Sequence, residues 1–200
     1  RREEYDYTTL LTDSGYMAGF GIVYTENQPL NQGYMVRQDW LDEQGLETPT
    51  TYDQWYDVLC NFRDNYGCTP LALTGFNLSG LSAGFGVYGD VSSATVPVYV
   101  DNGTVTFAWT QDSYREYLEL MHNWYADGLI DADELINTAP FPDEDKIITD
   151  QRGIWKVERD NMVYYAELAV DADFRAVAIP YPSMNEGETT HFKELTTNIA

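Results

Sequence analysis

Gly33-Tyr34-Met35-Val36-Arg37-Gln38-Asp39-Trp40-Leu41, followed by Gly45-Leu46 and then Pro49-Thr50-Thr51-Tyr52-Asp53-Gln54-Trp55, is the stretch whose reading decides the fold. It predicts a short strand, a single helical turn closed by glycine, and a capped amphipathic helix. Thr51 can accept from the backbone of Gln54 while the Gln54 side chain reaches back, the reciprocal arrangement of a capping box. Apolar residues then recur at Tyr52, Trp55, Leu59 and Phe62, one stripe of a 3.6-residue period. Gly67 stands where a helix would end in a left-handed residue.

Working outward, Met17–Tyr24 and Tyr34–Val36 predict a pair of strands across the polar loop Thr25–Asn31. Leu71-Ala72-Leu73, after Pro70, predicts a short buried strand. Gly75–Gly89 holds five glycines and three large aromatics, which is loop chemistry. Val96–Val100 and Thr104–Trp109 flank Asp101-Asn102-Gly103, and Asn-Gly suits the positive φ of a type I′ hairpin. Tyr114, Tyr117, Leu118, Met121, Trp124 and Tyr125 form a second helical stripe, ended by Gly128. Asp131-Ala132-Asp133-Glu134 starts a further helix. A helix over Asp143–Asp150, a strand over Gly153–Val157, a helix over Asn161–Val170 and a strand over Ala176–Ile179 complete the order. Such mixing predicts an α/β fold, with helices packed on a small mixed sheet.

Composition narrows the function classes. The chain has 200 residues, enough for one domain with a proper core. An apolar fraction of 44%, with 5 Trp, 16 Tyr and 8 Phe, excludes a disordered chain. No run of about 18 apolar residues exists to span a membrane. The net charge of -22 argues against nucleic acid and against an anionic lipid surface as direct partners. The chain opens abruptly at Arg1-Arg2-Glu3-Glu4 and closes on the strand-like Leu195–Ala200. It therefore reads as a fragment of a larger protein, with any secretion signal or membrane anchor outside it. Cys60 and Cys68 could bridge across a helix end or stay as two thiols, and spacing alone leaves both open.

The order of motifs resembles that of extracellular solute-binding proteins that feed ABC importers, family 1, the sugar-type lipoproteins. Arg37–Leu41, Gly45-Leu46 and Pro49–Trp55 are similar to their "R-x-D-W-L, G-L, P-x-T-W-D-E" run. His122-Asn123-Trp124-Tyr125-Ala126-Asp127-Gly128-Leu129-Ile130-Asp131 looks like "W-Y-A-x-G-L-I-D". Asp150–Trp155 stands where the family has "G-K-x-A/G-M", with Asp150 for the glycine and Ile154 for the methionine. Phe174–Pro182 is similar to "V-x-x-I/L-P-Y-P". The likeness runs from Gly33 onward. It implies a type II periplasmic-binding-protein-like lobe, the second of two, over residues 1–200. It further implies non-enzymatic capture of a mono- or oligosaccharide, ABC permease subunits as partners, an extracellular or periplasmic location, and no cofactor or metal.

In that family the loops after the "P-L" strand and after the "G-K-x-A-M" strand face the ligand cleft; here those are Thr74–Phe85 and Val157–Asn161. Aromatic faces and planar polar groups serve saccharides. The expected ligand face is therefore Phe76, Asn77, Phe85, Trp155, Glu158, Asp160 and Asn161. Trp55 and Trp124 belong to helical stripes and are expected in the core, and Trp40 is expected to pack. Trp109 ends a hairpin strand. The place where many sugar binders carry a cleft tryptophan holds Arg159 or Asp160.

Several motifs point elsewhere. Gly80-Leu81-Ser82-Ala83-Gly84 matches the nucleophile elbow, which needs a strand running straight into its first glycine. The nearest strand ends near Leu73, and a glycine-rich loop explains the run better. Gly84–Gly89 matches G-x-G-x-x-G but is followed by a hairpin, not the helix a dinucleotide site requires. Asp131, Asp133 and Glu134, with Asp143, Glu144 and Asp145, lack the alternation and central glycine of a calcium loop. Helix caps and first-turn acids account for them. The alternative function is a carbohydrate-active enzyme domain working through paired carboxylates.

Overall fold

The computed structural model describes residues 12–16, 32–73, 80–87, 98–101, 103–133, 142–158, 161–188 and 190. β1 (Gln32–Arg37) runs into α1 (Gln38–Gln44), and α2 (Tyr52–Tyr66) follows. The capping box is present. The Gln54 backbone N–H donates to Thr51 Oγ1 at 3.3 Å, and Gln54 Oε1 accepts from the Thr51 N–H at 3.3 Å. α2 stops at Gly67, whose φ of 63° spares the left-handed residue a β-carbon clash. Next come β2 (Leu71–Ala72), a 3₁₀ turn at Ala83–Phe85, and the ribbon β3 (Val98–Asp101) and β4 (Thr104–Phe107). A 3₁₀ turn at Ala108–Thr110 leads into α3 (Asp112–Ala126). α4 (Glu144–Ile148), β5 (Ile154–Glu158), α5 (Met162–Leu168) and β6 (Ala176–Ile179) follow. Asp101 pairs with Thr104, so the hairpin turns in two residues as its Asn-Gly predicts, and Gly103 has φ 81°.

The main sheet has the order β2-β5-β1-β6. β1 is antiparallel to both β5 and β6, while β2 lies parallel to β5, so the sheet is mixed. Both faces are covered, which is why these strands read as near-continuous apolar runs. Tyr34, Val36, Leu71, Ile154 and Ile179 face α1, α2 and α3 in a core built on Trp40, Trp55, Phe62, Tyr117 and Trp124. Met35, Ala72, Trp155 and Val157 face the other way, onto Ile147 of α4, Tyr165 of α5 and Phe174. The result is three layers, helix on sheet on helix.

Chain contacts divide the protein into two compact units, residues 32–193 and residues 1–31 with 194–200. Within the second of these only residues 12–16 are described, a turn in which the Gly15 N–H donates to the Thr12 carbonyl at 2.8 Å. The expected strand Met17–Tyr24 and the stretch His191–Ala200 lie outside the described residues. The stripe of α3 is narrower than its pattern predicts. Tyr117, Met121 and Trp124 are buried, whereas Leu118 and Tyr125 are each 46% exposed. Positions i, i+4 and i+7 point at the sheet, and the neighbouring row falls beyond the edge of the packed face.

Candidate functional site

The sheet register defines two ends. Gln32 pairs with Glu158 and Tyr34 with Ile179, so the start of β1, the end of β5 and the end of β6 lie together. β2 is parallel to β5, so the chain leaves β2 at that same end. Ligands of open α/β sheets bind where strands end in loops.

Glu158, half-buried, closes β5, and its Oε1 accepts from Gln32 Nε2 at 3.3 Å. By alternation it shares a sheet face with Tyr34 and with Lys156, which is only 5% exposed. Tyr181, just past β6, sets its ring edge-on to Tyr34 at 5.4 Å, and Tyr34 is edge-on to Trp55 at 5.2 Å. The glycine-rich turn packs onto this group. A β-carbon on Gly80 would collide with the Tyr181 ring, and one on Gly84 would lie 2.6 Å from the Pro182 carbonyl. Only glycine lets the turn approach so closely. Tyr52 Oη donates to the Leu81 carbonyl at 2.5 Å and fastens it. Phe85 tilts against Tyr52 at 4.9 Å and meets Tyr117 at 5.9 Å. Burial, and after it the neighbouring tyrosines, pushes the Tyr34 phenol well above its ordinary range. Burial does the same to Tyr117 and Tyr52. These phenols stay neutral donors at physiological pH.

The expected ligand residues divide. Phe85 and Glu158 lie on the Tyr34 side of the sheet end. Asn161 is half-buried at the N-cap of α5, on the opposite layer, with no side-chain cap bond. Trp155 needs correction. Expected to line an open face, it is fully buried in the second core, with Tyr165 at 5.9 Å and Phe174 at 6.1 Å. Strand alternation sends it to the face that α4 and α5 cover. Phe76, Asn77 and Asp160 lie outside the described residues. Sequence reasoning passed over Tyr52, Tyr181 and Lys156; the signal for the tyrosines is the Gly80 and Gly84 spacing, since a glycine pair marks close neighbours.

The misleading motifs resolve into local structure. The Ser82 hydroxyl donates to the Val87 carbonyl at 3.1 Å and braces the 3₁₀ turn. His122 is exposed on α3, and His191 lies outside the described residues. Asp131 caps its helix start, accepting from the Asp133 N–H at 2.9 Å, and its other oxygen takes Lys146 at 2.8 Å and Arg152 at 2.6 Å. Burial alone would raise its pKa, but the Lys146 bond, the Asp133 N–H and the Arg152 charge together hold it below the usual range. Asp143 caps α4 through the Asp145 N–H at 3.1 Å. Among the described residues no group of three or more His, Cys, Asp or Glu could hold a metal ion. Cys60 and Cys68 are both free thiols. Burial pushes Cys68 up to about 11.

The far end of the sheet carries a different cluster. Arg37 is fully buried, bonds Asp39 at 2.5 Å and Asp171 at 3.2 Å, and also pairs with Asp150. Its guanidinium lies 4.5 Å over Trp40 and 4.4 Å over Phe174. Burial would lower its pKa, yet the hydrogen bonds to Asp39 and Asp150 outweigh that and raise it. A depression of about 640 Å³ opens there, walled by Asp39, Trp40, Glu43, Tyr66 and Arg175. With three acids tied to one arginine, this end is a structural clamp.

No protein-family model and no curated protein matches the chain. Solved structures do. The alginate-binding protein AlgQ2, crystallised without calcium ion, shares 23% identity at a TM-score of 0.68, over 86% of this chain and 36% of its own. The Streptococcus pneumoniae ABC-transporter substrate-binding protein FusA, an EF-hand mutant in complex with fructo-nystose, shares 19% at 0.67, over 87% and 37%. An HMO-binding, ABC-transporter-associated solute-binding protein from Bifidobacterium longum infantis shares 21% at 0.64, over 88% and 39%. The chain has the type II periplasmic-binding-protein fold. It spans little more than a third of the length of these proteins, and at such identities the likeness speaks of fold. No described helix is long and apolar enough to cross a membrane.

Proposed function

We propose that the chain, residues 1–200, is the second lobe of a two-lobed extracellular solute-binding protein that captures a saccharide for the permease subunits of an ABC importer. The observation that carries this reading is the shared fold over 86–88% of the chain with proteins whose names record alginate, fructo-nystose and HMO binding. Capture is non-covalent and needs no cofactor. Two lobes close over the ligand, and the ligand favours closure by its higher affinity for that state. On this lobe Phe76 and Phe85 supply ring faces, while Asn77, Glu158, Asp160 and Asn161 supply hydroxyl partners. Trp155 supports β5 from inside. The membrane is reached through an anchor outside this chain, and the net charge of -22 keeps nucleic acid away.

Thermal-shift screening of the complete protein against a saccharide panel tests this. A ligand at one hundred times its Kd adds about 2.7 kcal/mol of stability, a readily measured rise in Tm. Asp160→Ala should weaken binding by about 1–3 kcal/mol if its carboxylate bonds a ligand hydroxyl. A panel without a single stabilising sugar contradicts the reading.

A further inference from the structure

Of the five tryptophans, Trp40, Trp55, Trp124 and Trp155 are each at most 3% exposed, whereas Trp109 is 43% exposed. Its placement is well braced. It sits in the 3₁₀ turn Ala108–Thr110, where the Phe107 carbonyl accepts from Thr110 Oγ1 at 2.9 Å and from Gln111 Nε2 at 3.2 Å. The Gln111 N–H closes the turn onto the Ala108 carbonyl at 3.1 Å. The Phe107 ring stands edge-on to the indole at 5.3 Å and 64°. The preceding residue ties this turn to the candidate ligand loop. Ala108 and Val87 are both fully buried in one small cluster, and Phe85 packs against it. Trp109 is thus one residue along the chain from the Ala108 contact with the Phe85 turn, while the Thr110 hydroxyl and the Gln111 amide bond the Phe107 carbonyl and, at 3.2 Å, each other.

We propose that Trp109 is an outer stacking platform for a sugar ring, so that the ligand is a neutral oligosaccharide whose inner units occupy the Phe85 loop. An indole face takes up the C–H patch of a pyranose or furanose ring. The strongly negative chain disfavours a polyanionic glycan. This inference rests on the saccharide reading above and adds to it both the chain length of the ligand and a contact outside the residues assigned to the cleft.

The test uses the complete protein with kestose, nystose and stachyose as probes and fructose and galactose as single-ring controls. Binding is measured by calorimetry, and oxidative footprinting read by mass spectrometry reports Trp109, with the four buried tryptophans as internal controls. The expected result is protection of Trp109 by a bound tri- or tetrasaccharide and an affinity about tenfold weaker in Trp109→Ala, about 1.4 kcal/mol. Trp109→Phe should recover part of the loss, and unchanged thermal midpoints of the two unliganded variants would show that the fold is kept. If an oligosaccharide binds while Trp109 stays unprotected and Trp109→Ala binds like wild type, the platform is wrong and the saccharide reading survives. If no probe binds, both fall together.

Discussion

Arg37 forks onto Asp39, Asp150 and Asp171 from a fully buried position, sandwiched between Trp40 and Phe174. Removing the cation would strand three carboxylates at one sheet end. Arg37→Ala should therefore destabilise by about 3–5 kcal/mol in urea unfolding, and Arg37→Lys should rescue little because an ammonium cannot fork or stack. A rescue by Lys to within about 1 kcal/mol of wild type would show that charge alone suffices. Trp155 makes the companion case. Trp155→Ala should cost about 3–5 kcal/mol of stability through a core cavity. In the sequence it looked like a ligand residue because its strand leads into a polar run. Period-two alternation says which residues share a face, but not which face is covered when both are apolar, and that left Trp155 ambiguous.

At the scale of elements, local chemistry was legible wherever a short-range rule acts alone. The Thr51–Gln54 box, the left-handed Gly67 and the Asn-Gly hairpin depend on neighbours within four residues, and all formed as read. Thr51→Ala should cost about 1 kcal/mol by thermal denaturation, one lost cap. The pattern of α3 overreached at Leu118 and Tyr125, because a stripe's width is set by what packs against it. Asp131 shows a long-range tie the sequence hid, since Lys146 and Arg152 reach it from across 15 and 21 positions. Its folded pKa lies below its ordinary value of 3.8, so the stability it adds is present above that pH and is lost as pH falls through the lowered folded pKa. Asp131→Asn should therefore destabilise at pH 7 by about 1–3 kcal/mol, and the gap to wild type should shrink on acidification below the carboxylate range. A pH-independent gap in denaturant midpoints would contradict the ion-pair account.

For the molecule as a whole, the layer order was legible because it follows from element sequence, while the candidate ligand end required the sheet register. Only pairing Gln32 with Glu158 and Tyr34 with Ile179 brings the loop ends together. The tyrosines at that end were hidden for the same reason, since Tyr34, Tyr52 and Tyr181 come from three separated segments. The two ends of the sheet divide the work. The Arg37 end locks the layers, and the Glu158 end gathers buried tyrosines, the glycine-rich turn and the strand-end loops proposed above to meet the ligand. The most direct test of saccharide capture without chemistry is equilibrium dialysis of the complete protein against neutral oligosaccharides, with mass spectrometry of the sugar recovered after denaturation. An oligosaccharide should be retained and recovered intact; failure to retain any sugar, or recovery of cleaved products, would contradict non-covalent capture.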